Sequence, residues 1–206
     1  EGLSEYIHNY RHRMFSSAAA IFWMYNDSWP VTNGWTIVDY YRRKKLSYHP
    51  VRRAFQPVTV IVVDTPEEVV VYGVNETTSA WSGEVRYGVF LLAGGMSLDR
   101  KATVSLPANT STAIARFNRS EWKADRRQSG AFAILQQNGR TVAQHRVFVE
   151  RFKDLQFVPA KIALSRKNGV LTAASEQFAW GVCLDVDGEL PLADNCFDLL
   201  PGVPYS

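Results

Sequence analysis

The sequence predicts a mainly β fold built around an immunoglobulin-like β-sandwich, and three observations carry that expectation. Apolar residues alternate with period two from 57 to 148, an Asn-Gly pair stands at a hairpin position, and 46% of the 206 residues are hydrophobic, ample for a packed core. The alternation falls into strand-like runs at 58–62, 68–74, 84–90, 101–106, 112–117, 131–135 and 141–148. Seven such runs in roughly 95 residues match the strand number and spacing of an immunoglobulin-like sandwich. Asn138-Gly139 separates the last two runs, and a type I′ turn requires positive φ at both central residues, which Asn and Gly tolerate best.

Residues 1–56 follow a different pattern. Leu3, Tyr6, Ile7, Tyr10, Met14 and Phe15 recur at helical spacing, with no Gly or Pro after Gly2, which predicts a helix over 3–15. Residues 18–25 (AAAIFWMY) are apolar on both faces and predict a short strand covered on both sides, as in a parallel sheet. A turn-rich stretch runs from Asn26 to Asn33-Gly34. Residues 36–41 and 50–55 are expected to supply helical turns, with Pro50 at a helix start. The region therefore reads helix, buried strand, long loop, helix. Beyond the sandwich, 161–165, 170–174 and 178–185 read as strands, the first two joined through Asn168-Gly169. The expected domains are 1–56, 57–153 and 154–206. The last is well short of the roughly 100 residues of a whole immunoglobulin-like domain, so it reads as an extension of the first sandwich or an incomplete second one.

Charge and rare residues exclude several function classes. A formal net charge of +3 gives no case for a nucleic-acid or membrane partner. Arg42-Arg43-Lys44-Lys45 reads as a solvated loop or helix end. No window is apolar for long enough to span a bilayer as a helix, and Glu1-Gly2-Leu3-Ser4-Glu5 is too acidic and polar for a signal peptide. Cys183 and Cys196 read either as a disulfide in an oxidising compartment or as two buried thiols. The cysteines and histidines lack zinc-ligand spacing, and His8 and His12 miss the glutamate of HExxH, so no metal or cofactor is expected. Four Asn-x-Ser/Thr triplets, at Asn26, Asn75, Asn109 and Asn118, are frequent enough by chance to carry little weight.

There is no Gly-x-Ser-x-Gly elbow and no phosphate-cradling glycine loop. The cluster suited to chemistry is Trp23-Met24-Tyr25-Asn26-Asp27-Ser28-Trp29-Pro30. An indole face packs on the apolar C–H face of a pyranose, while amide and carboxylate groups bond its hydroxyls. Trp23 and Trp29 read equally well as core residues, since large aromatics are mostly buried.

The stretch from Phe22 to Pro30, then Trp35-Thr36-Ile37-Val38-Asp39-Tyr40-Tyr41 and Tyr48-His49-Pro50-Val51-Arg52-Arg53-Ala54-Phe55, resembles the end of the catalytic barrel in family 2 glycoside hydrolases. The W-x-x-N-D-x-W-P and D-Y-Y elements are those of its β-mannosidase and exo-β-glucosaminidase branch. Asp194-Asn195-Cys196-Phe197-Asp198-Leu199-Leu200-Pro201-Gly202 resembles the D-N-x-F-D-L-x-P-G segment of that branch's final sandwich. The two matches flank the β-rich middle, so the resemblance covers essentially the whole chain.

The resemblance implies that 21–25 is the eighth strand of a (β/α)8 barrel, the last strand-helix unit ahead of the sandwich, with the active site at the strands' carboxyl ends. It makes Trp23 a wall of the subsite for the non-reducing-end sugar. Ile21 and Tyr25 would share its inward face, and Phe22 and Met24 would face the helices. Asn26 and Asp27 would shape the rim, and Trp29 would either touch substrate or pack the loop. The family's retaining mechanism uses two carboxyl groups about 5 Å apart, both on earlier strands. A barrel takes about 250 residues, so neither catalytic glutamate is expected in this chain, and Asp27 and Asp39 occupy no catalytic position. The chain by itself is therefore expected not to hydrolyse glycosides.

The implied partner is a β-linked oligosaccharide or glycoside, met through the rest of the barrel in a secreted or periplasmic setting. A lone eighth strand exposes Trp23 and Phe22, so residues 1–50 are expected to lean on the sandwich or on a second chain, a route to self-association. Two competing readings are a carbohydrate-binding or adhesion module with Trp81, Trp122 and Trp180 as a stacking platform, each of which reads equally well as a sandwich core residue, and a structural dimerisation domain.

Overall fold

A computed structural model describes residues 2–31 and 33–206, and Glu1 and Thr32 lie outside the described residues. In chain order the elements are α1 (Gly2–Arg11), α2 (Tyr48–Ala54), β1 (Val58–Asp64), β2 (Glu68–Asn75), β3 (Trp81–Leu91), β4 (Met96–Leu106), β5 (Thr110–Asn118), β6 (Ser129–Gln137), β7 (Arg140–Val147), β8 (Ala163–Lys167), β9 (Val170–Ala174), β10 (Ala179–Val182) and β11 (Phe197–Leu199). Residues 1–56 with 180–198 form one compact unit, and 57–179 with 199–206 form another. The stretch 154–206, read from sequence as a third segment, is thus divided between the two.

In the second unit all seven strands expected from the alternation are present. They form two antiparallel sheets, β1-β2-β5 and β4-β3-β6-β7. The chain crosses between sheets after β2, β4 and β5, the connectivity of an immunoglobulin-like sandwich. Asn138 (φ 51°) and Gly139 (φ 74°) make the β6–β7 turn with both residues left-handed, as the I′ hairpin requires. Because strand side chains alternate between faces, Val60, Val62, Val69, Val71, Val85, Val89, Ala131, Ala133 and Leu135 all enter the space between the sheets. They pack there with Leu106, Phe117 and Trp122.

Strand β6 is buried from 129 to 135 without alternation, so both of its faces are covered. Phe132 and Ile134 point away from the first core and join Phe90, Leu92, Leu155, Phe178, Leu200 and Val203 in a second one. Its aromatic centre is tight, with the Phe90 and Phe178 rings 4.9 Å apart. The tail of the chain supplies half of this layer, which is why the unit does not end at 153. The β8–β9 hairpin, turned at Asn168 (φ 51°) and Gly169 (φ 80°), is tied in by paired backbone bonds between Ala173 and Tyr205 of 2.8 and 2.9 Å.

Two details in this unit decide between alternatives the sequence left open. Trp122 is 4% exposed, donates from Nε1 to Ser129 Oγ at 2.8 Å, and has Trp81 packed on the same core. Of the two alternatives the sequence left for Trp122, stacking platform or core, the core placement is the one observed. Asn75, one of the glycosylation triplets, is wholly buried. Its amide donates to the carbonyls of Ser79, Leu106 and Pro107 while its Oδ1 accepts from Thr77, so this asparagine closes a turn.

The first unit has less regular structure. On α1, Ser4, Ile7, His8 and Arg11 are buried at i, i+3, i+4 and i+7, one face of a helix. Ile7 packs with Ile37, Val38, Val51 and Ala54, and Arg11 donates to the Ala54 carbonyl at the end of α2. Helix α1 stops at Arg11 and leaves Phe15 exposed. In α2, Pro50 sits in the first turn, where its missing N–H has no intrahelical partner to lose.

Two expectations for this unit fail. Residues 18–25 form no strand, and Met24 leaves the extended region altogether (φ 68°). A strand of a parallel sheet draws its hydrogen bonds from neighbours on both sides, and no ladder pairs with 18–25 among the described residues. Among the described residues no sheet in this unit closes or curls. Without a pleat the inward and outward assignment lapses: Ile21, Trp23, Met24 and Tyr25 are all exposed and Phe22 is half-buried. Residues 36–41 are not helical either. Val38 bridges both Asn26 and Lys44 in extended geometry, and the chain turns at Tyr40-Tyr41. Asp39 drives that turn by accepting the Arg43 backbone N–H, a local bond that competes with a helix.

Candidate functional site

The rim of the first unit is built on backbone pairing between two loop segments. The Tyr25 carbonyl accepts from the N–H groups of Ile37 and Val38, both at 3.1 Å, and Asp27 N–H donates to the Val38 carbonyl at 3.0 Å. This turns the Asp27 side chain inward, where it is 6% exposed. Thr36 Oγ1 donates to its Oδ1 at 2.5 Å and Lys45 Nζ lies 2.7 Å from its Oδ2. Lys45 also donates to Thr36 Oγ1 at 2.7 Å and to the Gly34 carbonyl at 3.3 Å. The bonds from Lys45, then Thr36, hold the Asp27 carboxyl below the usual carboxylate range, against the burial that pushes it up. A Cβ at position 34 would stand 2.9 Å from Asp27 Oδ1, so a larger residue than Gly34 would have to displace that carboxylate.

Asp39 is satisfied in a similar way. Burial pushes its carboxyl up, but Arg43, bonding through Nε at 2.7 Å and its backbone N–H at 2.8 Å, outweighs that and holds it low.

Beside this hub lies an open cleft of about 490 Å³, lined by Tyr25, Asn26, Asp27, Ser28, Val38, Asp39, Tyr40, Arg42, Lys44 and Tyr48. Hydroxyls, an amide, two cations and tyrosine rings line it, a mixture suited to a polyhydroxylated ligand. Its two carboxylates are already ion-paired, which suits them to anchoring and not to proton transfer. Of the residues expected at the site, Asn26 and Asp27 line the cleft. Trp23 and Trp29 lie outside its lining, 81% and 67% exposed, and so does Trp35, whose Nε1 donates to Met24 Sδ at 3.0 Å. Neither tryptophan read as a core candidate is buried.

The two stretches that carry the family resemblance also meet within this unit. Arg53 of α2 donates to Asp194 Oδ1 at 2.6 Å, to the Asn195 carbonyl at 2.9 Å and to the Cys196 carbonyl at 2.6 Å. Arg52 donates to the Ala193 carbonyl, and buried His49 places Nδ1 3.3 Å from Asp194 Oδ1. Asn195 in turn accepts from the N–H groups of Leu184 and Cys196 and donates to the Asp185 carbonyl at 2.6 Å. The Asp-Asn pair of the second motif is therefore a receptor for Arg53 of the first, and Arg52 reaches the residue just before the pair. Sequence reading missed this clamp, and it missed Thr36 and Lys45 as holders of Asp27. The clamp joins residues 141 to 143 positions apart, a separation at which no local pattern signals a contact.

Comparison with known proteins follows the same division. Residues 67–154, which contain β2 to β7, match the mannosidase Ig/CBM-like domain. Beta-mannosidase B of Thermothelomyces thermophilus is 26% identical over 216 residues, covering 89% of this chain and 24% of that protein. The crystal structure of a β-D-mannosidase from Dictyoglomus thermophilum matches with a TM-score of 0.86 at 26% identity, over 98% of this chain and 25% of that one. An exo-chitosanase of Amycolatopsis orientalis, CsxA, shares the fold with a TM-score of 0.66 at 17% identity, over 98% of this chain and 29% of that one. The chain thus spans about a quarter of the length of the β-mannosidases it matches. Residues 67–154 are thus a mannosidase Ig/CBM-like domain, and over most of its length the chain is homologous to the β-mannosidases of glycoside hydrolase family 2.

Proposed function

We propose that this chain closes and braces the sugar-binding barrel of a longer retaining exo-β-glycosidase of the β-mannosidase type. Its first unit supplies one wall and the rim of the pocket, and its sandwich supplies the brace. The observation that carries this reading is the similarity to a β-D-mannosidase over 98% of the chain. That similarity includes an irregular first unit whose indoles face solvent. An exposed Trp23 is free to stack on the C–H face of a terminal pyranose, a role a core tryptophan cannot fill. Asn26 and the Asp27 hub hold the rim beside it. The solvent exposure of Trp29 favours substrate contact over loop packing.

The chain contributes shape and binding, and the carboxyl groups that cleave the bond come from elsewhere in the longer protein. Retaining hydrolysis needs a general acid whose pKa is raised and a nucleophile about 5 Å from it. Asp27 and Asp39 are both held low by cations, the reverse of what a general acid requires.

The test is kcat/KM of the longer protein on aryl β-mannosides and β-glucosaminides. Trp23→Ala is expected to lower the mannoside value by roughly 10- to 100-fold, the loss of one to three kcal/mol of stacking and burial. Unchanged turnover would remove Trp23 from the pocket. The chain alone is expected to show no turnover, and any that survives purification controls would overturn the division of labour proposed.

A further inference from the structure

Cys183 follows β10 and Cys196 precedes β11, strands that pair in a small sheet of their own. Their Sγ atoms stand 2.7 Å apart as free thiols. Neither belongs to the Asp27 hub or to the cleft, and the sugar-facing role does not use them. The backbone on both sides is fixed by one side chain: Asn195 Oδ1 accepts from Leu184 N–H at 2.7 Å and from Cys196 N–H at 3.0 Å. The Cys196 carbonyl is also held by Arg53. The two sulfurs are therefore held face to face, and joining them asks for little movement of the chain.

We propose that Cys183 and Cys196 are a thiol–disulfide modification site, converted to an internal cystine by a low-molecular-weight disulfide such as oxidised glutathione. Cys183, half-buried, is the sulfur the reagent reaches, while Cys196 is 8% exposed. The Cys183 thiolate attacks the reagent's disulfide, forming a mixed disulfide and releasing one glutathione thiol. Cys196 then loses its proton and attacks Cys183 Sγ, releasing the second. Two protein thiols are oxidised to one cystine and one glutathione disulfide is reduced to two thiols, so electrons and protons balance. Burial, and then the Cys183 contact, push the Cys196 thiol up to about 12, so the second step quickens as pH rises. The cystine staples the loop that carries Asp194 and Asn195, the receptors for Arg53.

The experiment equilibrates the intact chain in glutathione redox buffers at several pH values, followed by acid quench, alkylation in denaturant and mass spectrometry. The expected product is two hydrogens lighter, with the peptides bearing 183 and 196 linked. Its melting temperature is expected to lie roughly 6–12 °C above that of the reduced chain, as for a short loop closed in a chain of this size. Cys196→Ala is expected to stop at the mixed disulfide. Two free thiols in strongly oxidising buffer, a mixed disulfide that persists in the unaltered chain, or a bond between two chains would each overturn the proposal. The measurement is made on the unaltered chain, so it does not depend on a variant folding.

Discussion

In residues 57–179 almost every strand has an apolar face that finds a partner, whereas the apolar run at 18–25 in the first unit forms no strand and leaves Ile21, Trp23 and Tyr25 in solvent. The contrast lies in where the partners come from. The sandwich supplies its own: Val60, Val71, Val89 and Leu135 meet across the gap, and the tail returns Phe178 and Leu200 to the outer face of β6. The first unit is held mainly by polar clamps instead. Arg11 closes on Ala54, Lys45 on Asp27, and Arg53 on Asp194. Its apolar cluster among the described residues is small, five buried residues including Ile7. A strand is a cooperative object and needs neighbours, while a clamp needs only two groups and a geometry. That is how a region whose apolar run forms no strand, and packs only Ala20 and Phe22 on the Ile7 cluster, keeps a defined shape.

Substitutions of decreasing severity test this contrast. The largest effect is expected in the sandwich. Phe90→Ala empties the aromatic centre against Phe132, Phe148 and Phe178, and should cost about 3–5 kcal/mol in urea unfolding. A loss under about 1 kcal/mol would mean that the outer layer does not contribute to the fold. Next is the clamp: Arg53→Ala leaves the Asn195 and Cys196 carbonyls without that donor and Asp194 with the Asn195 N–H but no guanidinium, and should cost about 2 kcal/mol. Hydrogen exchange at 194–196 should rise while the β6 amides stay protected, and equal acceleration in both would erase the distinction between the regions.

A gentler perturbation is pH. The folded Asp27 carboxyl lies below its unfolded value of about 3.9, so its stabilisation is complete above that value and is lost as pH falls through the lower folded one. The first unit should therefore loosen below about pH 4, and Lys45→Met should move that midpoint upward toward 3.9. A midpoint indifferent to Lys45 would assign the acid transition to other groups. The smallest effect is expected at Trp23. With 81% of the side chain exposed, Trp23→Ala should change stability by no more than about 0.5 kcal/mol. A larger change would mean that the indole is a structural group, and would weaken its assignment to a sugar.

How far the sequence carried the structure differs between the same two regions. The β-strands were legible because alternation, Asn138-Gly139 and Asn168-Gly169 are local signals, and all of them describe what formed. The two-faced burial of β6 was hinted at by the unbroken apolar run from Ala131 to Leu135, but its cover, Phe178 and Leu200, lies too far along the chain to be assigned from pattern. At the rim, Asn26 and Asp27 were legible as polar residues beside aromatics. The lysine that neutralises Asp27 was not, because Arg42-Arg43-Lys44-Lys45 reads as one solvated run. Only folding separates Lys45, on Asp27, from Arg43, on Asp39. The same limit applied to the aromatics. Trp122 stands in a charged stretch, Arg119-Ser120-Glu121-Trp122-Lys123, and Trp23 in an apolar run, yet Trp122 is core and Trp23 is solvated.

By itself the sequence determined the sandwich, its turns, the helical start of α2 and the two motifs that resemble the family. Each of these rests on contacts between near neighbours in the chain or on a repeating period. Tertiary structure alone decided that 18–25 stays irregular, that 154–206 is divided between two units, and that Asp194 and Asn195 exist to receive Arg53. Those outcomes depend on which distant groups arrive to satisfy a backbone, a charge or an apolar face, and a one-dimensional pattern carries no record of who arrives.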